Sequence, residues 1–538
     1  MSGPPSPLPH SPLATPLEPV TAPGVAAGAP HAVALIERAR AQGNRVALVD
    51  REGEVTYRDL VQLAERAAAT LLAGAADLAE ARVAFLVPSG RHYVITQWGI
   101  WLAGGIAVPL CVSHPRPELE YTVTDADASI LVSHPEYHGV VSALASDLGR
   151  RWVGTDRLTA TSPVPLPPLA ASRRAMILYT SGTTGKPKGV VTTHRTIQAQ
   201  ITALIEAWGW TEHDRILHVL PLHHLHGIIN VLACSLWAGA TCEMLPKFDP
   251  AQVWTIFGTR RLTLFMAVPS IYQRLVQFWE ESEPARQAQM TASCSALRLM
   301  VCGSAALPVP VLERWRTISG HTLLERYGMT EIGMGLSNPL HGERVPGAVG
   351  APLPGVQVRL LDESGREVAD GEPGQIEVRG DAVFSEYWRR PEETRRAFND
   401  GWFQTGDIAV RSKGIYRILG RNSVDIIKSG GYKISALEIE QTLLGHPDIA
   451  ECAVVGVADM EWGERVCAAI RWRNRTEVPL ADLRAWTKER LASYKVPGRI
   501  CTVDDLPRNA MGKVVKKEVS KLFAPAAGSP GAEQCGSP

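Results

Sequence analysis

Residues 179–189 contain a dense set of side chains that can bind phosphate. They read Tyr179-Thr180-Ser181-Gly182-Thr183-Thr184-Gly185-Lys186-Pro187-Lys188-Gly189 and follow the apolar run Met176-Ile177-Leu178. Glycines let backbone amides approach a ligand closely, and hydroxyls and ammonium groups donate to anionic oxygens. A loop of this kind after a strand is suited to holding phosphates. It is not a P-loop of the NTPases, because only two residues separate Gly182 from Gly185 and Pro187 follows the first lysine.

Further motifs with polar and aromatic side chains follow along the chain. They are Gly303-Ser304-Ala305-Ala306-Leu307, Tyr327-Gly328-Met329-Thr330-Glu331, Gly401-Trp402-Phe403-Gln404-Thr405-Gly406-Asp407, Gly420-Arg421 and Leu506-Pro507-Arg508-Asn509-Ala510-Met511-Gly512-Lys513-Val514. A carboxylate such as Glu331 is the hard oxygen ligand that Mg²⁺ prefers. Asp407 is an acceptor-only side chain, and Lys513 is a compact positive charge. An isolated residue of each type is usually a solvated surface group. Only the order and spacing of these residues along the chain indicate a functional site.

Together these motifs resemble the adenylate-forming superfamily of acyl-CoA synthetases, luciferases and adenylation domains of peptide synthetases. The resemblance covers residues from about 32 to 523. It implies that a carboxylic acid and ATP give an acyl-adenylate and pyrophosphate. A small C-terminal domain then swings about a hinge, and the thiol of coenzyme A attacks the adenylate. ATP, Mg²⁺ and coenzyme A are therefore the expected cofactor and substrates.

The resemblance also implies a role for individual residues. Lys513, Thr330 and Glu331 are the implied catalytic residues: Lys513 bridges the substrate carboxylate and the α-phosphate, Thr330 bonds the α-phosphate, and Glu331 binds Mg²⁺. Thr183 is the second implied metal ligand, and Tyr327 stacks on adenine. The remaining ATP or AMP contacts are Thr180, Ser181, Gly182, Thr184, Gly185, Lys186, Lys188, Gly303, Ser304, Ala305, Gly328, Met329, Asp407 and Arg421.

Coenzyme A and the hinge are assigned by the same resemblance. The pantetheine arm passes Gly430 and Gly431, where a missing Cβ gives room. Between Arg421 and these glycines the chain is one residue longer than is usual in the superfamily. Asp425 is the candidate hinge residue, and Ser423 is the alternative.

Arg326 is the residue that indicates which acid is activated. Synthetases for fatty or aromatic acids carry a small residue at this position, whereas a guanidinium can hold a carboxylate bidentately. The surrounding residues 325–331, 337–339, 344–350 and 423–433 resemble malonyl-CoA and methylmalonyl-CoA synthetases. We therefore expect a malonate–CoA ligase that also accepts methylmalonate. An ion pair between Arg326 and Glu325 is the competing interpretation, and it favours a short-chain or aromatic monocarboxylate.

Three histidines lie close together in the segment Pro221-Leu222-His223-His224-Leu225-His226-Gly227. A metal site is one interpretation, but no neighbouring carboxylate or cysteine supports it. The resemblance instead implies that His224, together with Ser304, lies beside the acyl substrate and that His226 is a packing residue. A carrier-loading adenylation module and a non-catalytic binding protein are two further alternatives. No carrier domain follows in the sequence, and Thr330, Glu331, Asp407 and Lys513 are intact.

The bulk composition limits the partners and the compartment. The chain of 538 residues has 55 basic and 55 acidic side chains. This balance argues against nucleic acids or anionic membranes as the main partner, since both require a basic surface. Small-molecule substrates, no membrane and a monomer or homodimer are expected. The nine cysteines form no metal or disulfide pattern. The first 30 residues contain neither Arg nor Lys, unlike a mitochondrial presequence, so we expect a cytoplasmic enzyme.

Periodicity predicts an α/β fold with more than one domain. Helical patterns alternate with short apolar strands up to about residue 419, which predicts parallel sheets covered by helices. From residue 345, recurrent Gly and Pro predict a β-rich subdomain. The predicted boundaries are a disordered leader (1–31), an N-terminal adenylation domain (32–420), a small mobile α+β C-terminal domain (421–523) and a disordered tail (524–538).

Overall fold

The computed structural model describes residues 33–180, 186–422, 424–430, 432–473, 477–508 and 514–523. The predicted leader and tail lie outside these residues, as do Ser181, Gly182, Thr183, Thr184, Gly185, Ser423, Gly431 and Lys513. The predicted domain boundaries stay predictions. Strand pairing continues through Arg421, one residue beyond the boundary expected at residue 420.

Helices and strands alternate along the first part of the chain. Their bounds are α1 (Ala34–Ala41), β1 (Val46–Asp50), β2 (Gly53–Thr56), α2 (Tyr57–Leu72), β3 (Arg82–Leu86), α3 (Arg91–Leu102), β4 (Ile106–Pro109), α4 (Arg116–Asp125), β5 (Ile130–Ser133), α5 (His138–Asp147), β6 (Arg151–Gly154), α6 (Thr155–Leu158), β7 (Arg174–Thr180), β8 (Lys188–Thr193), α7 (His194–Trp208), β9 (Arg215–His218), a π-helical segment (His226–Ala233), α8 (Cys234–Ala238), β10 (Thr241–Met244) and α9 (Pro250–Thr259).

The second part becomes progressively richer in strands. It contains β11 (Leu264–Ala267), α10 (Pro269–Glu280), α11 (Pro284–Ser293), β12 (Leu299–Cys302), α12 (Val309–Ser319), β13 (Leu324–Met329), β14 (Gly333–Ser337), β15 (Ala351–Pro352), β16 (Gln357–Leu361), β17 (Pro373–Arg379), β18 (Glu386–Tyr387), α13 (Pro391–Ala397), β19 (Phe398–Asn399), β20 (Trp402–Ser412), β21 (Ile415–Arg421), β22 (Ile426–Ser429), β23 (Tyr432–Ser435), α14 (Ala436–Leu443), β24 (Ile449–Asp459), β25 (Gly463–Trp472), α15 (Leu480–Lys488), β26 (Arg499–Thr502) and α16 (Lys516–Lys521).

Two large sheets form the N-terminal region. One has seven strands in the order β18-β8-β7-β4-β3-β5-β6. Its last five strands, β7, β4, β3, β5 and β6, are parallel to one another. The other has nine strands in the order β15-β14-β13-β12-β11-β9-β10-β1-β2, with a parallel centre from β13 to β1. Parallel strands are buried on both faces, and β11 and β12 at the centre of the nine-stranded sheet are accordingly apolar throughout. The predicted α/β class is confirmed.

Two smaller sheets follow. Strands β16, β17, β20, β19 and β21 pair antiparallel and form the predicted β-rich subdomain. The C-terminal sheet has the order β23-β22-β25-β24, with β26 parallel to β25. Helices α14 and α16 pack on its β24 strand. This is the small α+β unit that the sequence predicted.

Side-chain caps explain why several helices begin where they do. The hydroxyls of Thr56, Thr193 and Ser435 accept from the backbone N–H three residues later and so cap α2, α7 and α14. Gly209 ends α7 in the left-handed conformation that glycine adopts readily. Local side-chain bonds thus fix the first residues of these three helices.

The uncharged stretch 94–113 contains most of α3 and then β4. None of the helices described above combines the length and the apolar character needed to cross a bilayer.

Candidate active site

A buried arginine lies on β13. Arg326 is 3% exposed, and its Nη2 donates to the hydroxyl of Ser304 at 3.3 Å. Its Nε has no hydrogen-bond partner. Burial lowers the pKa of the guanidinium to about 10, which still leaves a cation at neutral pH. No carboxylate in the described part of the chain pairs with it.

Glu325 is not the partner of Arg326. Successive residues of a strand face opposite sides of a sheet, and the Oε1 of Glu325 accepts from the Gly347 N–H at 3.0 Å. Burial raises the pKa of Glu325 to about 7. The competing interpretation, in which an ion pair turns Arg326 away from the site, does not hold in this structure.

Ser304 and His226 complete a cluster with Arg326, which we call the Arg326 cluster. The Ser304 Oγ lies 3.2 Å from the His226 Nδ1. The His226 ring is buried, and its Nε2 has no partner. Burial, followed by the charge of Arg326, lowers the pKa of His226 well below its usual value, so the imidazole is neutral. A buried cation therefore has two polar but uncharged neighbours.

The backbone around the cluster requires particular residues. A Cβ at Gly303 would lie 2.7 Å from the Arg326 Cζ, so only glycine allows the guanidinium to pack there. Ser304 has φ +70°, a left-handed conformation that is uncommon for serine and is typical of functional sites. Strand β12 ends two residues before Ser304 and pairs in parallel with β13, which carries Arg326. This pairing brings Ser304 and Arg326 close together. Ala305 follows Ser304 and is exposed.

Ser304 contacts a different histidine from the one that the resemblance placed with it beside the acyl substrate, and the role of His224 stays a prediction. His226, expected to be a packing residue, contacts Ser304, whereas the ring of His224 lies 4.1 Å from that of His223. His226 opens the π-helical segment, and such segments are frequent at functional sites but carry no sequence period. Within the described residues, no group of three or more His, Cys, Asp or Glu side chains is arranged to hold a metal.

A second polar group surrounds the hydroxyl of Tyr327, which follows Arg326 on β13 and so faces the opposite side of the sheet. The Tyr327 hydroxyl donates to the Asp407 Oδ2 at 2.5 Å, and the Arg421 Nε lies 3.3 Å from the Asp407 Oδ1. Asp407 and Arg421 are directly paired between β20 and β21, which explains their proximity. Burial raises the pKa of Asp407, although both partners oppose this. The two residues expected at the ribose and the one expected at adenine are thus in contact.

Glu331 lies near the turn between β13 and β14. It is buried, the Tyr387 hydroxyl donates to its Oε1 at 3.0 Å, and burial raises the pKa of its carboxyl. Thr330, next to it, is half-buried. A carboxylate with one oxygen held by a tyrosine fits the oxygen-ligand chemistry of Mg²⁺. Met329 packs against the core, and a Cβ at Gly328 would lie 2.2 Å from the Gly333 carbonyl oxygen.

The described ends of the phosphate-loop motif lie on two paired strands. Thr180 ends β7 and pairs with Lys188 at the start of β8. Lys188 forms an ion pair with Glu393, so this predicted ATP contact already has an anionic partner. The Lys186 ammonium lies 5.3 Å from the ring centre of Tyr121 and is exposed. Lys186 is therefore the better candidate for a phosphate contact.

Asp425, the predicted hinge residue, and Gly430, the described residue of the predicted coenzyme A pair, lie on either side of β22 in the C-terminal sheet. The Asp425 Oδ2 accepts from the Arg421 N–H at 3.0 Å, and the Lys516 Nζ lies 2.6 Å from Oδ1. Gly430 has φ +54°, and a Cβ there would lie 2.9 Å from the Trp462 ring. The absent side chain of Gly430 thus makes room for Trp462 in this conformation.

Comparison with known proteins identifies relatives over almost the whole chain. The malonate–CoA ligase ACSF3 of Xenopus laevis is 46% identical over 92% of this chain and 93% of its own length. The human protein of the same name is 47% identical over 91% and 92%. The crystal structure of ATP-bound MatB from Rhodopseudomonas palustris has a TM-score of 0.84 at 34% identity and covers 91% of this chain and 99% of its own.

The expectation of a cytoplasmic enzyme is wrong. Both vertebrate relatives are named as mitochondrial proteins, which points to the mitochondrion rather than the cytoplasm. The expectation was based on the absence of basic residues from the first 30 residues. That composition is not a guide to the compartment of this protein.

Two family models match the chain. The AMP-binding enzyme model covers residues 35–388, and the AMP-binding enzyme C-terminal domain model covers residues 438–513. The first contains the phosphate-loop motif, the Arg326 cluster and Glu331, and the second ends at Lys513. The motifs, the fold and the relatives agree, and the chain belongs to the family of AMP-binding enzymes, the adenylate-forming superfamily.

Proposed function

We propose that the protein is an ATP-dependent malonate–CoA ligase that converts malonate, ATP and coenzyme A into malonyl-CoA, AMP and diphosphate, and that also accepts methylmalonate. The vertebrate relatives named above and MatB support an acid–CoA ligase of this type. The observation that carries the choice of acid is the buried guanidinium of Arg326, which no carboxylate in the described part of the chain neutralises.

A short dicarboxylate matches the Arg326 cluster in charge and size. Burying an isolated cation is costly, so an anionic ligand gains both the ion pair and the relief of that cost. Arg326 would donate to the carboxylate that does not react. The Ser304 hydroxyl and the neutral His226 supply further polar contacts beside it. An apolar acyl chain in the same place would leave the guanidinium unpaired.

In the first step, an oxygen of the other carboxylate attacks the α-phosphorus of ATP, and the bond from that phosphorus to diphosphate breaks. Asp407 would accept from the ribose hydroxyls while Tyr327 and Arg421 hold its carboxylate in place. Lys186 would meet the phosphates. Glu331 and Thr183 would hold Mg²⁺, which would neutralise charge at the phosphates. Thr330 and Lys513 would bond the α-phosphate.

In the second step, the sulfur of coenzyme A attacks the carbonyl carbon of the acyl-adenylate. The carbon–oxygen bond to AMP breaks, and the thiol loses its proton. We propose that the C-terminal sheet rotates about the segment 422–425 between the two steps, so that Lys513 leaves and the glycine pair at 430–431 approaches. Asp425 would break its bond to the Arg421 N–H during that rotation.

A panel of acids tests the proposal. The purified protein is incubated with ATP, Mg²⁺, coenzyme A and malonate, methylmalonate, succinate, acetate, octanoate or benzoate, and coenzyme A-dependent AMP formation is measured. We expect malonate to give the highest kcat/KM and methylmalonate to react measurably. Rapid turnover of octanoate or benzoate with none of malonate would contradict the assignment.

A further inference from the structure

Both described ends of the phosphate-loop motif are bonded to one face of helix α4. Before the loop, the Tyr179 hydroxyl donates to the Asp125 Oδ2 at 2.8 Å. After the loop, the carbonyl of Pro187 accepts from the Tyr121 hydroxyl at 2.7 Å. Tyr121 and Asp125 are four residues apart, so they lie on the same side of the helix. One helix face thus contacts a residue of β7 before the loop and the residue directly before β8 after it.

Asp125 is itself fixed by a segment far away in the sequence. Its Oδ1 accepts from the Arg390 Nη2 at 2.9 Å, which leaves Oδ2 for Tyr179. The Arg390 Nε also lies 3.8 Å from the Glu393 Oε1, and Glu393 forms an ion pair with Lys188 at the start of β8. Each carboxylate oxygen of Asp125 has one partner. Burial raises the pKa of Tyr179 above its usual value, so its hydroxyl remains a donor.

We propose that Tyr121 and Asp125 of α4, with Asp125 held by Arg390, are positioning residues that set the phosphate-binding loop for ATP. The inference rests on the proposed function only in its use of ATP. Neither residue touches the nucleotide in this proposal. They act through Tyr179 and Pro187, the described residues on either side of the loop.

The physical reason is the entropy of a glycine-rich segment. Glycine-rich sequences in general have many accessible backbone conformations, so ordering them on a ligand opposes binding. Holding both ends in place reduces that cost and keeps the donors close to the phosphates. Loss of the bond at either end of the loop should therefore weaken the binding of ATP and leave the acid-binding pocket unchanged.

The test compares two variants with a matched control. Asp125→Asn keeps the shape but removes the charge, so one amide must replace the bonds to both Tyr179 and Arg390. Tyr121→Phe keeps the ring but removes the hydroxyl, and with it the bond to the Pro187 carbonyl and the interaction with Arg390. The control is Asp127→Asn, since Asp127 pairs with Arg82, Arg150 and Arg389 and with no residue of the phosphate-loop motif. Binding of ATP with Mg²⁺ is measured by calorimetry without any acid, so the result does not depend on the malonate assignment.

We expect Asp125→Asn and Tyr121→Phe each to raise the Kd for ATP about tenfold, because a small misplacement of binding groups is costly. With the acid that the wild type uses, KM for ATP should rise while KM for the acid stays the same. The control should bind ATP like the wild type. Wild-type affinity in both Asp125→Asn and Tyr121→Phe would overturn the proposal, and so would equal weakening in the control. Should Asp125→Asn fail to fold, Tyr121→Phe alone decides.

Discussion

Arg326 is a buried charge that the protein keeps without a built-in counter-ion among the residues described. A buried guanidinium with an unbonded Nε reduces stability, and such costs are usually retained where they serve binding. Gly303 supports this view, because its missing side chain provides the space for the guanidinium. The site is therefore prepared for an anion before one binds.

Replacement of Arg326 separates binding from stability. Arg326→Met removes the cation but fills a similar volume, and we expect kcat/KM for malonate to fall at least about 100-fold, as when a buried charge partner is lost. The melting temperature should stay unchanged or rise, because an uncompensated buried charge is removed. Steady-state kinetics and calorimetry measure the two effects.

Arg344 provides the matched control for Arg326. It is a partly buried arginine whose guanidinium donates to the backbone carbonyls of Pro339, Thr322 and Leu340. Arg344→Met should lower the melting temperature and leave the preference for malonate unchanged. If Arg326→Met instead behaves like Arg344→Met, with lost stability and retained malonate activity, the role assigned to Arg326 is wrong.

At the residue scale, the sequence predicted the groups whose chemistry is recorded in local motifs. The inward arginine is of this kind, and Asp407 and Arg421, which were both expected to contact the ribose, lie close to each other. The contact of His226 with Ser304 was missed because it depends on a π-helical turn. The ion pair of Lys188 with Glu393 was also missed, since the two residues are more than 200 positions apart.

At the scale of elements, a buried ion network joins the predicted hinge to two helices. The Lys516 Nζ, at the start of α16, lies 2.6 Å from Asp425 and 2.9 Å from Glu440 of α14. All three side chains are at most 15% exposed. Burial raises the pKa of Glu440, which Lys516 opposes, and the two carboxylates together raise the pKa of Lys516 against the effect of its burial. The network thus joins Asp425 to α14 and α16, the two helices that pack on the C-terminal sheet.

Removing Lys516 should loosen the C-terminal sheet. Lys516→Met leaves Asp425 and Glu440 close together without a cation, and breaking a buried pair in this way costs about 3–5 kcal/mol. We expect faster proteolysis within residues 426–523 and a lower melting temperature. Lys517→Met, at the exposed neighbouring position, should have neither effect. Equal protease resistance in the two variants would show that the network does not stabilise this region.

Some elements carried no local signal for their role. The segment comprising β18 and α13 was not assigned from the sequence. Nevertheless, Tyr387 bonds Glu331, Arg390 bonds Asp125 and Glu393 pairs with Lys188. Each contact joins residues distant in the sequence, so no periodicity or spacing could predict it. Caps and amphipathic helices, by contrast, depend on neighbours within one or two turns and were predictable.

For the whole molecule, the alternation of helices and strands was sufficient for the α/β class but not for the strand order. In the seven-stranded sheet, β7 lies beside β4 and β3 lies beside β5, an order set by packing between distant segments. The division into a large N-terminal part and a small C-terminal part was evident from composition. Only the structure shows that Glu325 of β13 bonds the Gly347 N–H and feels the charge of Arg417 on β21.

Glu325 gives the whole molecule a stability that depends on pH. Its usual pKa of 4.5 applies to the unfolded chain, and burial raises the pKa to about 7 in the folded protein. Between these values the folded protein retains a proton that the unfolded chain has released, so the free energy of unfolding falls as pH rises through this window. Glu325→Gln stays neutral and keeps an acceptor for the Gly347 N–H. Calorimetry should therefore show a variant that is more stable than the wild type at pH 8, by up to about 3 kcal/mol, with little difference near pH 4.5. The control, Glu313→Gln at an exposed position of α12, should show no such trend. An advantage of Glu325→Gln that grows towards low pH would reverse the sign and exclude a buried carboxyl as its cause.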